Sequence, residues 1–477
     1  MEDKKLLIKN TGIYAIGDIL PKVMGLIVFP ILTYYLPPEE YGIINYVNTI
    51  GTFLSLISVL GLNTFFLAFY FEEKDDKGRR ELYSTISYFI IAFSLVITLL
   101  LHLFGEDVFH KWGSNISFFP YISLGVIANF FDIITFLPIC LYRVRENPLP
   151  LTIICVIKSF FILGVSVAVV LMDGMAHEIL FARCMVSVLF SFVFLYSTKS
   201  YFALKFDLIK IRKALKFSIP LVPGSLAYYT FSMFDRVLID KYLTLRDLGL
   251  YTTASTLAMV LNFVYNGAYK AFEPYFFQNY NKEGFEKKFS KVRDALLITV
   301  LTGALLISLF SKEFFHFFAS DKYEMAYIYV PVIMIGVIAS AMSLLYGTIV
   351  IAQKKPIMNT IITMIGCMIS LSLNILFLKH FGAMVAAISF ALSFLAILFL
   401  YIWIVHLKVS IVRSVMVSSF VILIIFIFNF FLPDCGVVYN IFIKTVVFLL
   451  TLFVVGKSLH FDYMMFRGVF NRGLFAK

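Results

Sequence analysis

Runs of about 20 apolar residues recur along the chain, cut by short segments rich in charge, Gly and Pro. The run "SVMVSSFVILIIFIFNFFL" (414–432) has no period-2 alternation, so it predicts a membrane-crossing helix rather than a barrel strand. Windows of this kind predict fourteen spans, at about 11–36, 41–70, 82–104, 118–142, 151–172, 179–198, 214–239, 248–272, 292–310, 326–351, 357–378, 383–406, 411–432 and 438–458. The second is long enough to include an interfacial turn or a tilt. The connections are short and leave no room for a soluble catalytic domain on either face.

Composition agrees with the pattern. The 477 residues are 61% hydrophobic, 17% aromatic and only 14% charged, too apolar for a soluble core to hide. An all-α integral membrane protein is expected, with no enzymatic activity. The N-terminal "MEDKKLLIKN" leads into the first span without a small-residue cleavage site, so no removable signal peptide is expected. In a soluble chain a net charge of +11 would raise the question of nucleic acid. Here its distribution is more informative, and no nucleic-acid partner is expected. Only six of the 40 Lys+Arg fall in one alternate set of loops, whereas the set containing both termini is rich in them. By the positive-inside rule both termini are expected in the cytoplasm, and the span count is even.

The cysteines (Cys140, Cys155, Cys184, Cys367, Cys435) show no paired spacing, which argues against a disulfide framework and a zinc site. No cofactor or metal is expected. There is no Walker loop, so ATP bound to this chain does not drive it.

The chain repeats itself. A shift of about 207 residues aligns Gly17 with Gly224, "YYLPPEEYG" (34–42) with "KYLTLRDLG" (241–249), and Thr49 with Thr256. Further along, "NPLPLTII" (147–154) meets "KPIMNTII" (355–362) at nearly the same offset. Six spans separate the copies, so both face the same way and are related by an axis along the membrane normal. The predicted organisation is an N-lobe at 1–198, a cytoplasmic linker at 199–213 and a C-lobe at 214–406. Two further helices and a cytoplasmic tail follow at 407–477.

"NTGIYAIGDILPKVMGLIVFPILTYYLPPEEYGIINYV", "FDRVLIDKYLTLRDLGLY" and "AQKKP" resemble the polysaccharide-exporter branch of the multidrug/oligosaccharidyl-lipid/polysaccharide superfamily, and within it the Wzx-type flippases for O-antigen and related repeat units. The resemblance implies two six-helix lobes around a cavity, as in MATE transporters. It implies transfer of an undecaprenyl-pyrophosphate-linked oligosaccharide across the bacterial inner membrane by alternating access, coupled to protons or sodium. A polysaccharide polymerase and a chain-length regulator are the implied protein partners. Two other readings share the fold: a lipid II flippase and a cation-coupled drug exporter. The exporter would be expected to have twelve spans and an acidic cavity. A membrane polymerase or glycosyltransferase would need a larger external loop than this chain has.

Ionisable residues inside spans are the candidate transport groups. At 1.5 Å per residue, Lys22 lies roughly 16 Å from the cytoplasmic start of the first span, and Asp132 is at similar depth. Asp18 sits one turn from Lys22 on the same face. Two readings stay open: Lys22 neutralises Asp18 or Asp132 and braces the N-lobe, or it builds a cationic cavity with Lys158, Arg183 and Arg236 in which Asp18 or Asp132 is a counter-ion or coupling site. Asp235, Arg236, Arg183, Lys270 and Lys444 lie near enough to span ends to snorkel. Adjacent helical side chains diverge by about 100°, so Asp235 and Arg236 are expected to find separate partners. Asp235-Arg236 also matches a pair usual in the family. Tyr14, Asn48, Tyr228, Tyr229 and Asn262 are candidates for contacting sugar. Pro21 removes a helix hydrogen bond and crowds the Gly17 carbonyl. With Pro30, and with Pro220 and Pro223 opening the second half, it predicts a bend or gate in the first helix of each lobe.

Overall fold

The computed structural model describes residues 2–145, 147–280, 282–353, 355–405, 412–431 and 436–459. Helices follow one another with short connections. The first group is α1 (Glu2–Tyr35), α2 (Pro38–Val59), α3 (Leu62–Phe69), α4 (Asp76–Trp112), α5 (Ser123–Ile134), α6 (Phe136–Val144), α7 (Pro148–Leu171) and α8 (Ala176–Thr198). Next come α9 (Leu208–Ser218), α10 (Val222–Met233), α11 (Asp235–Tyr242) and α12 (Leu245–Asn279). The chain continues through α13 (Phe285–Leu309), α14 (Ser311–Phe318), α15 (Val330–Ala352), α16 (Pro356–Phe381), α17 (Met384–Val405), α18 (Val412–Phe430) and α19 (Val437–Ser458).

Eleven helices among the described residues are long and apolar enough to cross a membrane, and Leu20–Tyr35 and Ser414–Phe430 are shorter apolar helices. Where a predicted span is interrupted, the residues explain the break. The second span turns at Leu60 and Gly61, both left-handed, between α2 and α3. The fourth divides at Thr135, whose hydroxyl donates to the Asp132 carbonyl at 2.7 Å and so competes with the helical ladder. The seventh begins with a 3-10 turn at Ile219–Leu221 containing Pro220, and then divides into α10 and α11 at Phe234.

Two compact units emerge. One is Met1–Thr253 with Phe318–Tyr323 and Leu371–Ala386; the other is Ala254–Phe317, Glu324–Ser370 and Ala387–Lys477. In the first, Val59, Phe66, Tyr83, Leu137, Leu141 and Ile211 belong to one buried cluster joining α2, α3, α4, α6 and α9. In the second, α13 packs on α15 and on α18.

Burial differs sharply between helices of similar hydropathy. The most apolar window of α7 has mean hydropathy 2.6 and is 11% buried, whereas that of α15 has 2.1 and is 83% buried. Protein covers α15. The apolar surface of α7 calls for lipid, because Phe160, Phe161 and Ile157 could not stand in water without a large hydrophobic cost.

Candidate functional site

In the first unit, α5 ends two residues beyond Asp132, and α7 passes beside it. Lys158 on α7 donates to the Asp132 carboxylate at 2.6 Å. The lysine side chain is 16% exposed and the carboxylate 44%, so the pair is anchored on one side and open on the other. An ionised pair between apolar helices needs such an opening or further polar partners to offset desolvation. Lys158, borderline for depth in the sequence, is therefore a partner of Asp132. Lys22 is exposed on α1. The side chains of Asp18, Tyr14 and Lys270 lie outside the described residues.

The packing of α1 along α7 follows from a small residue. A Cβ on Gly17 would lie 2.9 Å from Thr152 Oγ1, and that hydroxyl donates to the Ile13 carbonyl at 3.2 Å. Pro21 and Pro30 both lie inside the uninterrupted helix α1. Pro220 and Pro223 instead mark the 3-10 turn and the first turn of α10. Arg183 on α8 reaches sideways, donating from Nε to Ser166 Oγ on α7 at 2.9 Å.

Asp235 and Arg236 correct two expectations. They are buried rather than snorkelled, at 6% and 7% exposure, and they pair with each other at 3.5 Å. The reason is local. Asp235 opens α11, where its carboxylate accepts from the Arg236 backbone N–H at 2.8 Å and is thereby turned back beneath the Arg236 side chain. Tyr251 on α12 donates its hydroxyl to the other carboxylate oxygen.

A polar arrangement at the face carrying the α1–α2 and α11–α12 turns shows the repeat in three dimensions. Leu36 and Leu243 are equivalent under the shift of about 207 residues, as are Thr33 and Asp240. Tyr323 donates its hydroxyl to the Leu36 carbonyl at 3.0 Å, and the Ser320 N–H donates to the Thr33 carbonyl at 3.3 Å. In the other copy, Asn115 Nδ2 donates to the Leu243 carbonyl at 3.0 Å and to the Asp240 carbonyl. The loop after the third span thus holds the end of the seventh, and the loop after the ninth holds the end of the first.

The Asp240 carboxylate strengthens its side of this latch, accepting from Ser114 Oγ at 2.6 Å and from the Asn115 N–H at 3.1 Å. Nearby, the Lys241 ammonium lies 4.0 Å above the Trp112 ring. Between the turns, a Cβ on Gly42 would come within 2.9 Å of the Gly249 nitrogen. Hydropathy singled out none of Asp240, Ser114, Asn115, Ser320 or Tyr323, because they sit at span ends where polar residues are unremarkable. The repeat register was the available signal.

In the second unit, Lys444 and Glu313 are another correction to snorkelling. Lys444 Nζ donates to both oxygens of Glu313 at 2.7 and 2.8 Å, with side-chain exposures of 4% and 8%. Arg293 pairs with its neighbour Asp294 at 2.8 Å, and Asp294 also accepts from Ser414 of α18 at 3.3 Å. Cys140, Cys155, Cys184 and Cys367 form no disulfide among the described residues, and Cys435 lies outside them. Tyr228 is half-exposed and packs edge-to-face on Tyr229. Among the described residues no group of His, Cys, Asp and Glu is placed to hold a metal ion.

A multi-pass helical membrane protein with an internal repeat is the class this architecture defines. The family model described as polysaccharide biosynthesis protein matches residues 7–280, and the MatE model matches residues 220–376. The chain belongs to the polysaccharide biosynthesis protein family. Its fold is similar to "Lipid II flippase MurJ, inward closed conformation", with TM-score 0.76, 14% identity, and coverage of 94% of this chain and 99% of that one. It is also similar to the inward-facing conformation of a multidrug resistance MATE family transporter of the MOP superfamily, with TM-score 0.63, 12% identity, and coverage of 84% and 95%. A third similar structure is a MOP superfamily transporter from Pyrococcus furiosus, with TM-score 0.55, 12% identity, and coverage of 88% and 96%. No curated protein sequence matches the chain. At 12–14% identity these similarities show a shared fold.

Proposed function

We propose that this protein is a flippase that carries an undecaprenyl-pyrophosphate-linked oligosaccharide repeat unit from the cytoplasmic to the periplasmic leaflet of the bacterial inner membrane. The match to the polysaccharide biosynthesis protein family over residues 7–280 carries this reading. The physical need is for fixed charge and hydrogen bonds along the path. Phosphates and sugar hydroxyls lose their water on leaving the interface, and the protein must replace it while the prenyl chain stays in lipid. Asp132–Lys158 supports the reading as an ion pair among apolar helices whose carboxylate remains accessible. In this proposal Lys158, Lys22 and Arg183 present positive charge towards the pyrophosphate, with Lys270 near the inner end of its span and Arg236 held in its buried pair with Asp235. Asp132, Asp18 or Asp235 carries the coupling proton or sodium ion.

Both termini are cytoplasmic in this proposal, so the latch at Leu36 and Leu243 closes the periplasmic side. Alternating access then moves a lobe at 1–198 against a lobe at 214–406, with residues 407–477 as an appendage. The repeat-unit product would pass to a polysaccharide polymerase and chain-length regulator. Lipid II transport is the second reading, favoured by the fold similarity to MurJ.

The test uses proteoliposomes containing the full chain and a fluorescent undecaprenyl-pyrophosphate oligosaccharide, with lipid II as the competing substrate. Wild type is expected to translocate the oligosaccharide carrier, and Lys158→Ala, Asp132→Asn and Lys22→Ala to lose most of that rate while remaining in the membrane. Translocation of lipid II alone would support the second reading. Full rates in all three variants would overturn the assignment of the charged groups.

A further inference from the structure

At the face opposite the latch, α3, α4, α6 and the turn following α8 border an open pocket. Arg79, Arg80 and Arg145 line it together with Tyr70, Tyr201 and one acid, Asp76. The charge is unbalanced. Asp76 is mostly exposed and meets Arg79 only at 3.6 Å, too loosely to neutralise three guanidinium groups.

Two of the three guanidinium groups are held by ring faces. Arg145 lies 4.3 Å above the Tyr201 ring and Arg79 5.4 Å above that of Tyr70. Stacking fixes each guanidinium plane and leaves its N–H edge for a ligand. Arg79 Nε is buried and has no hydrogen-bond partner among the described residues. An unpaired buried donor is unfavourable, and an acceptor entering the pocket would relieve it. Tyr70 and Leu141 belong to the buried apolar cluster beneath, which lowers local screening.

We infer that this pocket binds a phosphate group, gripped by the forked N–H edges of Arg79, Arg80 and Arg145. Planar forks fit the tetrahedral oxygens of phosphate in pairs, and the pocket is open, so a phosphate can reach the arginines from the surface. The phosphate could arrive on an anionic lipid headgroup or free in solution. Exposed Phe71, Leu204, Leu208 and Ile209 on the adjoining segments, beside Arg212 of α9, give this face an apolar and basic character suited to a lipid surface, while Lys210 and Lys213 of α9 are paired with Glu73 and Glu72. The inference is independent of which substrate is transported.

The experiment is native mass spectrometry of the full chain released from nanodiscs of phosphatidylglycerol or phosphatidylcholine. It is accompanied by thermal shifts on titration with inorganic phosphate and pyrophosphate. Retention of phosphatidylglycerol over phosphatidylcholine by about tenfold, lowered by about tenfold in Arg80→Gln/Arg145→Gln, would identify a lipid headgroup. A saturable thermal shift with phosphate or pyrophosphate that the same variant lacks would identify a free phosphate. Both arginines are exposed, so the variant is expected to keep the wild-type melting temperature; Arg145→Lys, which keeps charge but loses the fork, is expected to bind at an intermediate level. Equal lipid retention and equal thermal shifts in wild type and variant would overturn the inference. If the double variant does not fold, the single Arg80→Gln decides by the same two readouts.

Discussion

Gly42 and Gly249 occupy equivalent positions in the two copies of the repeat and face one another, with space for neither to carry a side chain. A Cβ on Gly249 would press on the backbone of Pro38, 2.8 Å from its Cα, and backbone cannot rotate away as a side chain does. Gly249→Ala is therefore expected to cost about 1–3 kcal/mol through overpacking. At Gly25 a Cβ would meet nothing within 4 Å, so alanine should be tolerated there. Melting temperatures of the two variants in one detergent check this; equal values would show that the crossing relaxes freely.

The two sides of the latch should contribute independently. Tyr323→Phe removes one hydrogen bond to Leu36, and Asn115→Ala removes side-chain donors to Asp240 and Leu243. Losses of roughly 1 kcal/mol per hydrogen bond are expected, and the two substitutions should add because they share no partner. Thermal unfolding of the single and double variants provides the comparison.

Glu313→Gln leaves the Lys444 ammonium in an apolar setting without its counter-charge. The expected penalty is about 3–5 kcal/mol, whereas Glu313→Leu combined with Lys444→Met should be near neutral or stabilising. A double variant as unstable as Glu313→Gln would show that the pair contributes more than mutual neutralisation.

Lys205 lies in the segment between α8 and α9 and donates to Glu81 at 3.0 Å. That hydrogen bond, and then the carboxylate charge, raise the Lys205 pKa above the ordinary lysine value. Since the folded value exceeds the unfolded one, the stabilisation is complete below the ordinary lysine pKa and fades as pH rises through the folded one. The melting-temperature gap between wild type and Lys205→Met should be constant at neutral pH and close under strongly alkaline conditions. Lys205 is exposed, so the gap should be small and should narrow with added salt.

The fold was legible because its information is local. A helix in lipid must satisfy its own backbone and show an apolar surface over its whole length, so α7, α15 and α17 are recognisable one at a time. The repeat was legible too, since "YYLPPEEYG" and "KYLTLRDLG" preserve a turn that each copy needs. The ion pairs were less so. Depth arithmetic found Asp132 and Lys158 as separate residues, but it treated Lys444, Asp235 and Arg236 as able to reach an interface. They do not, because neighbouring helices cover them.

Residue identity alone determined that this chain crosses a membrane repeatedly, as two copies of one plan with ionisable groups in its spans. Only tertiary structure decided that Asp132 meets Lys158, that Asp235 turns back on Arg236, and that Asn115 and Tyr323 each hold the end of a helix from the other copy. Hydropathy is a sum over one segment, whereas an ion pair or a latch depends on distances of about 3 Å between residues far apart in the chain. Packing contacts such as Gly42 on Gly249 set those distances.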